Sequence, residues 1–161
     1  MLRQVAASAK FCAILATSVG SVGTLADTVY LDCKGKTTSP NYSEPWNSEQ
    51  RIKLTLEENV SDSKLEFVQV VQGPSMLQVF SNKSDKDDLN IIYHRTLYIS
   101  DEKIVGVLNI NFGDLNEIQK HSIVLDRING AIFHASDLFK LGKNYATYEF
   151  RGNCYKVQKQ F

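Results

Sequence analysis

The sequence predicts an all-β protein, a small antiparallel barrel or sandwich of about eight to ten strands with at most one or two short helical turns. Three observations lead there. Short stretches alternate apolar and polar residues, as in Arg51-Ile-Lys-Leu-Thr-Leu-Glu57, which is the period of a half-buried strand. Clusters of Gly, Asn, Asp and Pro separate these stretches. No window sustains a helical period. The clearest local instruction is residues 121–135, His-Ser-Ile-Val-Leu-Asp-Arg-Ile-Asn-Gly-Ala-Ile-Phe-His-Ala, a hairpin around Asn129-Gly130, because both residues tolerate positive φ.

Residues 1–26 have the pattern of a secretory signal peptide: Arg3 and Lys10, an apolar run over 11–19, and Thr24-Leu25-Ala26 with small residues where a signal peptidase cuts. The apolar run is shorter than the roughly 20 residues a membrane span needs. The remainder, residues 27–161, suits one domain. Of 18 basic and 18 acidic residues, Arg3 and Lys10 leave with the signal, so the mature chain is slightly acidic. It carries no basic patch for nucleic acid and no later segment able to span a bilayer as a helix. Cys33 and Cys154 stay near its two ends. Export places them in an oxidising compartment, where a disulfide joining the first and last strands is expected.

In order, residues 28–33 alternate with Val29, Leu31 and Cys33 on one face. Residues 34–49 read as a long loop with Pro40, Pro45 and the only tryptophan, Trp46. Ile52, Leu54 and Leu56 define a strand, residues 65–71 another, and residues 76–80 a short one ahead of a charged loop at 81–88. Residues 89–99 and 104–112 form a second hairpin. Pairing Ile99 with Ile104, Leu97 with Gly106, Arg95 with Leu108 and Tyr93 with Ile110 makes the apolar faces coincide. In the 121–135 hairpin a three-residue bulged turn pairs Leu125 with Phe133 and Ile123 with Ala135. That register gathers Ile123, Leu125, Ala131, Phe133 and Ala135 on the core face, and puts His121 and His134 on opposite sides. Residues 113–120 read as a connector with one helical turn at 114–119, and residues 136–143 as a single turn. Ala146, Tyr148 and Phe150 share a face with Cys154.

No catalytic set emerges. Gly35-Lys36-Thr37 lacks the earlier glycine and the following helix of a phosphate loop. His94, His121 and His134 show no zinc spacing and read as surface or rim residues. Ser122 and His121, being adjacent on a strand, point apart. No metal ligands and no cofactor are expected. Arg95 stands out, because a guanidinium on an apolar face needs a partner. It is either a salt bridge or an anion-binding group with Tyr93 and Arg127 nearby. Trp46 is the fourth binding candidate.

Three segments carry a resemblance: Tyr30-Leu-Asp-Cys-Lys-Gly-Lys36, Leu125-Asp-Arg-Ile-Asn-Gly130 and Tyr148-Glu-Phe-Arg-Gly-Asn-Cys154. The chain resembles a group of small exported proteobacterial β-proteins with Cys-Lys-Gly, Leu-Asp-Arg-X-X-Gly and late-cysteine motifs. That resemblance implies a periplasmic or secreted β domain and supplies no catalytic residues. A second resemblance is to periplasmic inhibitors of C-type lysozyme, which are also small disulfide-tied barrels; their Ser-Gly-X-X-Tyr inhibitory motif has no counterpart here. The expected function is a non-enzymatic binding or interaction module of the cell envelope, taking a small anionic or apolar ligand or an envelope protein. The alternative is an inhibitor of a secreted hydrolase that inserts residues 34–49 or 81–88 into a partner's cleft.

Overall fold

The computed structural model describes residues 27–71, 78–87 and 89–157; residues 1–26, with the expected signal sequence, Met76 and the final residues 158–161 lie outside them. Ten strands form one antiparallel sheet: β1 (Asp27–Thr38), β2 (Trp46–Leu56), β3 (Lys64–Val71), β4 (Val79–Phe80), β5 (Asp85–Lys86), β6 (Ile91–Ile99), β7 (Lys103–Phe112), β8 (Glu117–Asp126), β9 (Ala131–Lys140) and β10 (Lys143–Val157). The order is β4-β3-β2-β1-β10-β9-β8-β7-β6-β5. Two 3-10 turns, Val60–Asp62 and Gly113–Leu115, are the helical elements among the described residues.

The sheet curls until its two ends meet. Side chains make the closure, not a ladder. Asn82 Oδ1 accepts the Leu97 N–H at 2.7 Å, Ser84 Oγ accepts the Arg95 N–H at 3.4 Å, and Arg95 Nε donates to the Val79 carbonyl at 3.2 Å. Phe80 from β4 lies over Gly106 of β7, where an added Cβ would fall 2.7 Å from the ring. A single curled, barrel-like sheet replaces the choice between barrel and sandwich.

Inside lie Val29, Leu31, Ile52, Leu54, Leu65, Phe67, Phe80, Leu97, Ile104, Leu108, Ile123, Leu125, Ile132 and Phe150, all buried. Cys33 and Cys154 face each other across β1 and β10 and form the expected disulfide. The 89–112 hairpin has the register expected of it, with Ile99 opposite Ile104 and Tyr93 opposite Ile110.

Several sequence expectations need correction. In the 121–135 hairpin Leu125 pairs with Ile132 and Ile123 with His134, not with Phe133 and Ala135. The Asp126 carboxylate sets this longer loop. It accepts the Ile128 and Asn129 N–H groups at 2.8 and 3.0 Å and the Asn129 amide at 3.0 Å, an Asx-type turn. Gly130, at φ +76°, closes the loop onto Cys154, with its own N–H given to the Asp126 carbonyl. Shifting the register by one flips every residue of β9: His134 and Ser136 turn inward, while Phe133 and Ala135 turn outward. His121 and His134 therefore share the interior instead of lying on opposite sides or at the surface. Their exposures are 3% and 2%.

The 34–49 stretch is largely strand, since β1 runs to Thr38 and β2 starts at Trp46, leaving residues 39–45 as the loop. Its inward residues are Thr37 and Ser48, both buried and hydrogen-bonded to each other at 2.8 Å. A strand whose inner face is polar lacks the alternation that betrays strands in sequence. The single turn expected at 136–143 is a two-residue turn, with Leu141 at φ 51° and Gly142 at φ 75°, and β9 and β10 run up to it. The helical turn expected at 114–119 shrinks to Gly113–Leu115, and β8 begins at Glu117. The charged loop at 81–88 contains the short strand β5.

Candidate functional site

The interior is polarised along the strands. Take the end where β8 and β9 meet at the 126–130 loop as the bottom. Rising along β8, inward residues are Leu125, Ile123, His121 and Gln119; along β9, Ile132, His134, Ser136 and Leu138. On β2 they are Leu54, Ile52, Gln50, Ser48 and Trp46; on β10, Cys154, Gly152, Phe150 and Tyr148. Alternate residues of a strand share a face. Across the sheet Ser136 lies opposite both His121 and Tyr148, and His134 opposite Ile123 and Phe150. The inward side chains thus change from aliphatic near the 126–130 loop to a polar stretch with Gln50, His121, His134 and Ser136, bordered by Trp46 and Tyr148.

The middle level is a buried polar cluster. Gln50, Gln78, His121, His134 and Ser136 are each at most 3% exposed. Two glutamine–histidine bonds span the interior: Gln78 Nε2 to His121 Nδ1 at 2.8 Å and Gln50 Nε2 to His134 Nδ1 at 3.4 Å. The imidazoles lie 6.3 Å apart, and Phe67 stacks on His134 at 4.6 Å. Burial pushes the His121 imidazole down to about 4, against a smaller opposing pull from the Asp137 carboxylate. Burial first and the neighbouring His121 second push His134 down to about 3. Both rings are therefore neutral at physiological pH. An amide nitrogen can only donate, so each Nδ1 accepts, and the one ring proton sits on Nε2.

That assignment leaves His121 Nε2 and His134 Nε2 as donors, Gln50 Oε1 and Gln78 Oε1 as acceptors, and Ser136 Oγ as either; none has a partner within the fold. An unsatisfied buried polar group costs roughly 1–3 kcal/mol. Such a set suits a polar molecule held among these side chains.

Beside this cluster stand Trp46 and Tyr148, with ring centroids 6.5 Å apart, and Tyr42 packed edge-on against Trp46 at 5.2 Å. Asn41 ties the 39–45 loop to β10 by donating to the Tyr145 carbonyl at 3.3 Å. Trp46 is half-buried and Tyr42 is 61% exposed, so the rim reaches solvent.

Of the four residues singled out from sequence, the structure brings Arg95 and Tyr93 together and leaves Arg127 and Trp46 elsewhere. Arg95 serves the closing seam. Its guanidinium meets Asp85, donates to the Val79 and Lys83 carbonyls, and lies 4.6 Å from the Tyr93 ring centroid. Tyr93 donates to Asp87 at 3.3 Å. These contacts make Arg95 a clamp between the ends of the sheet. Arg127 belongs to the bottom loop, where it donates to the Ser100 carbonyl. The apolar hollow beside it, bounded by Val29, Leu54, Ile104 and Leu125, measures about 30 Å³, room for about one water. Trp46 alone lies near the polar cluster. Sequence reasoning missed His121, His134, Gln50, Gln78 and Ser136. The accessible signal was the two histidines flanking a hairpin, and it needed the correct register to be read.

Among the described residues no three His, Cys, Asp or Glu side chains are grouped to hold a metal ion. No helix among them is long and apolar enough to cross a membrane. The fold and its interior define the class, a small disulfide-tied antiparallel β protein whose single sheet curls into a barrel-like form around an apolar core that includes a buried polar cluster. Comparison with known proteins finds no matching family model, curated protein or solved structure.

Proposed function

We propose that this is a non-enzymatic binding protein of the cell envelope whose candidate site is the polar cluster of Gln50, Gln78, His121, His134 and Ser136. The observation that carries the reading is that five of the six buried side-chain atoms without a hydrogen-bond partner among the described residues belong to this one polar cluster, the sixth being Arg127 Nε in the bottom loop. A catalytic reading is less economical: both histidines are held neutral far below physiological pH, whereas a general base works best with a pKa near the working pH. Action outside the cytoplasm is supported by the Cys33–Cys154 disulfide and by the signal-like composition of residues 1–26. The resemblance to exported proteobacterial β-proteins points the same way. The expected anionic or apolar ligand gives way to a polar one, since Arg95 is engaged at the seam, Arg127 lies away in the bottom loop, and the polar cluster is the candidate site. The inhibitor alternative rests on the 39–45 loop with its exposed Tyr42, because most of 34–49 is strand.

The test is native mass spectrometry of the protein recovered from the exported fraction. The wild type should carry a non-covalent mass that is reduced in Gln50→Leu and in His121→Phe. A wild-type protein of bare chain mass, with His121 and His134 signals identical before and after unfolding and refolding in clean buffer, would refute the reading.

A further inference from the structure

We infer that the end of the barrel opposite the 126–130 loop docks on the surface of a phospholipid bilayer, with Tyr42, Leu89, Leu115 and Leu141 as the side chains that enter it. This goes beyond the polar cluster and does not depend on it.

Connectivity comes first. Every strand pairing is antiparallel, so successive turns fall alternately at the two ends of the sheet. The turns after β1, β5, β7 and β9 therefore share the end away from 126–130. Turn residues are dominated by Gly, Pro, Asn, Asp and Ser. Here each of the four turns carries a large apolar side chain in solvent: Tyr42 is 61% exposed, Leu89 74%, Leu115 61% and Leu141 72%. The bottom differs. Its turns expose Glu58, Asp101 and Glu102, with Ile128 as the one large apolar side chain exposed in its described turns.

At one tip leucine is a costly choice. Leu141 and Gly142 form the β9–β10 turn with φ of 51° and 75°. Positive φ at both positions favours Asn-Gly, and a leucine there crowds its own backbone. Packing does not offset this, because the side chain points into solvent. The tips are also held in place. Leu141 N–H donates to the Asn116 carbonyl at 2.9 Å, which sets the Leu115 and Leu141 turns side by side. Asn41 Nδ2 donates to the Tyr145 carbonyl at 3.3 Å, which ties the Tyr42 loop to β10. Tips already ordered lose little conformational freedom on docking.

The groups behind the tips identify the partner. Trp46 packs against Tyr42, and Tyr145, 48% exposed, follows the Leu141 turn. Rings with an apolar body and a polar edge favour the headgroup level of a bilayer. Lys86, Lys140 and Lys143 are exposed at this end and form no salt bridge among the described residues. Such lysines lay their stems along apolar surface and reach lipid phosphates. Glu44 and Asp114 are exposed among them, so the end carries both signs and complements zwitterionic headgroups. The acidic turns at the bottom then face away from the phosphates. The tips recur at every second strand around the mouth, as separate points. A fluid surface moulds to such points, whereas a protein partner needs a closely packed complementary patch.

The experiment uses the full mature protein and vesicles of phosphatidylcholine and phosphatidylethanolamine, read by flotation and by Trp46 fluorescence titration. The wild type should float with the vesicles. Leu115→Ser and Leu141→Asn should each weaken partitioning about tenfold, the transfer of one leucine side chain out of water, and together about a hundredfold. Ile128→Ser, at the bottom, should bind as the wild type does. Leu141→Asn should melt no lower than the wild type, since asparagine tolerates positive φ, so its lost binding is not lost fold. A wild type that stays unbound at millimolar lipid overturns the inference. So does Ile128→Ser weakening binding as much as Leu141→Asn. Binding that needs anionic lipid and is released by salt also overturns it, because charge and not the tips would then carry it. A protein indifferent to lipid that self-associates, and is monomeric in the double variant, would assign the tips to a second copy and overturn it too.

Discussion

Acidification should destabilise this protein well above the pH at which its carboxylates protonate. His121 and His134 are held neutral in the fold, at about 4 and about 3, whereas an unfolded-chain histidine titrates near 6.5. Both folded values are depressed, so the unfolded state binds more protons below about pH 6.5, and stability present above that value falls as the pH drops toward the folded values. For one such histidine the linkage relation gives a loss of about 2 kcal/mol between roughly pH 7 and pH 5. Two give about 4 kcal/mol, a large share of a domain's total of about 5–15 kcal/mol. The result depends only on both rings staying neutral near pH 5. Asp32 and Asp126 do not contribute in that window, because the Arg51 hydrogen bond and the loop N–H groups respectively hold their carboxyls below the usual range. Urea unfolding at the two pH values measures the difference directly. His121→Gln should remove about half of the pH dependence. A pH-independent stability across the window, or an unchanged slope in the variant, would refute the burial argument.

Other perturbations test separate parts of the structure. Replacing Cys33 and Cys154 by alanine should lower stability by up to about 5 kcal/mol, since the bridge joins residues 121 positions apart; denaturant midpoints of the oxidised and variant proteins measure it. Gly130→Ala should cost more than about 1 kcal/mol, because φ is +76° and the new Cβ would approach the Cys154 carbonyl oxygen at 2.7 Å. Arg95→Leu should lower stability by roughly 1–3 kcal/mol through the lost seam contacts, leaving ligand occupancy per folded molecule unchanged in native mass spectrometry. Asp85→Asn should cost under about 1 kcal/mol, since Asp85 is largely solvent-facing.

The strands with aliphatic inner faces were legible in the sequence. Ile52, Leu54 and Leu56 declare β2, and the coincidence of Ile99 with Ile104 and Tyr93 with Ile110 sets the register of β6 and β7. The candidate site was not legible, for a physical reason that also hid the strand ends. Where the barrel interior turns polar, at Thr37, Ser48, Gln50, His134 and Ser136, the inner face no longer differs from the outer face in hydropathy. The alternation rule then fails, and residues 34–49 look like loop. The 121–135 hairpin shows the same effect: apolar segregation favours putting Phe133 inside, yet Asp126 binds its own loop's N–H groups and turns His134 inward instead. Arg95 was identified as needing a partner, and the structure supplies Asp85 at the seam. The signal-like residues 1–26 are legible only as sequence.

The central claim concerns what lies among Gln50, Gln78, His121, His134 and Ser136. A high-resolution crystal structure of the protein purified from the exported fraction tests it most directly. The expected result is connected density of a multi-atom molecule within hydrogen-bonding reach of both histidine Nε2 atoms and both glutamine Oε1 atoms. Isolated water peaks there, or side chains repacked so that these atoms bond one another, would contradict it.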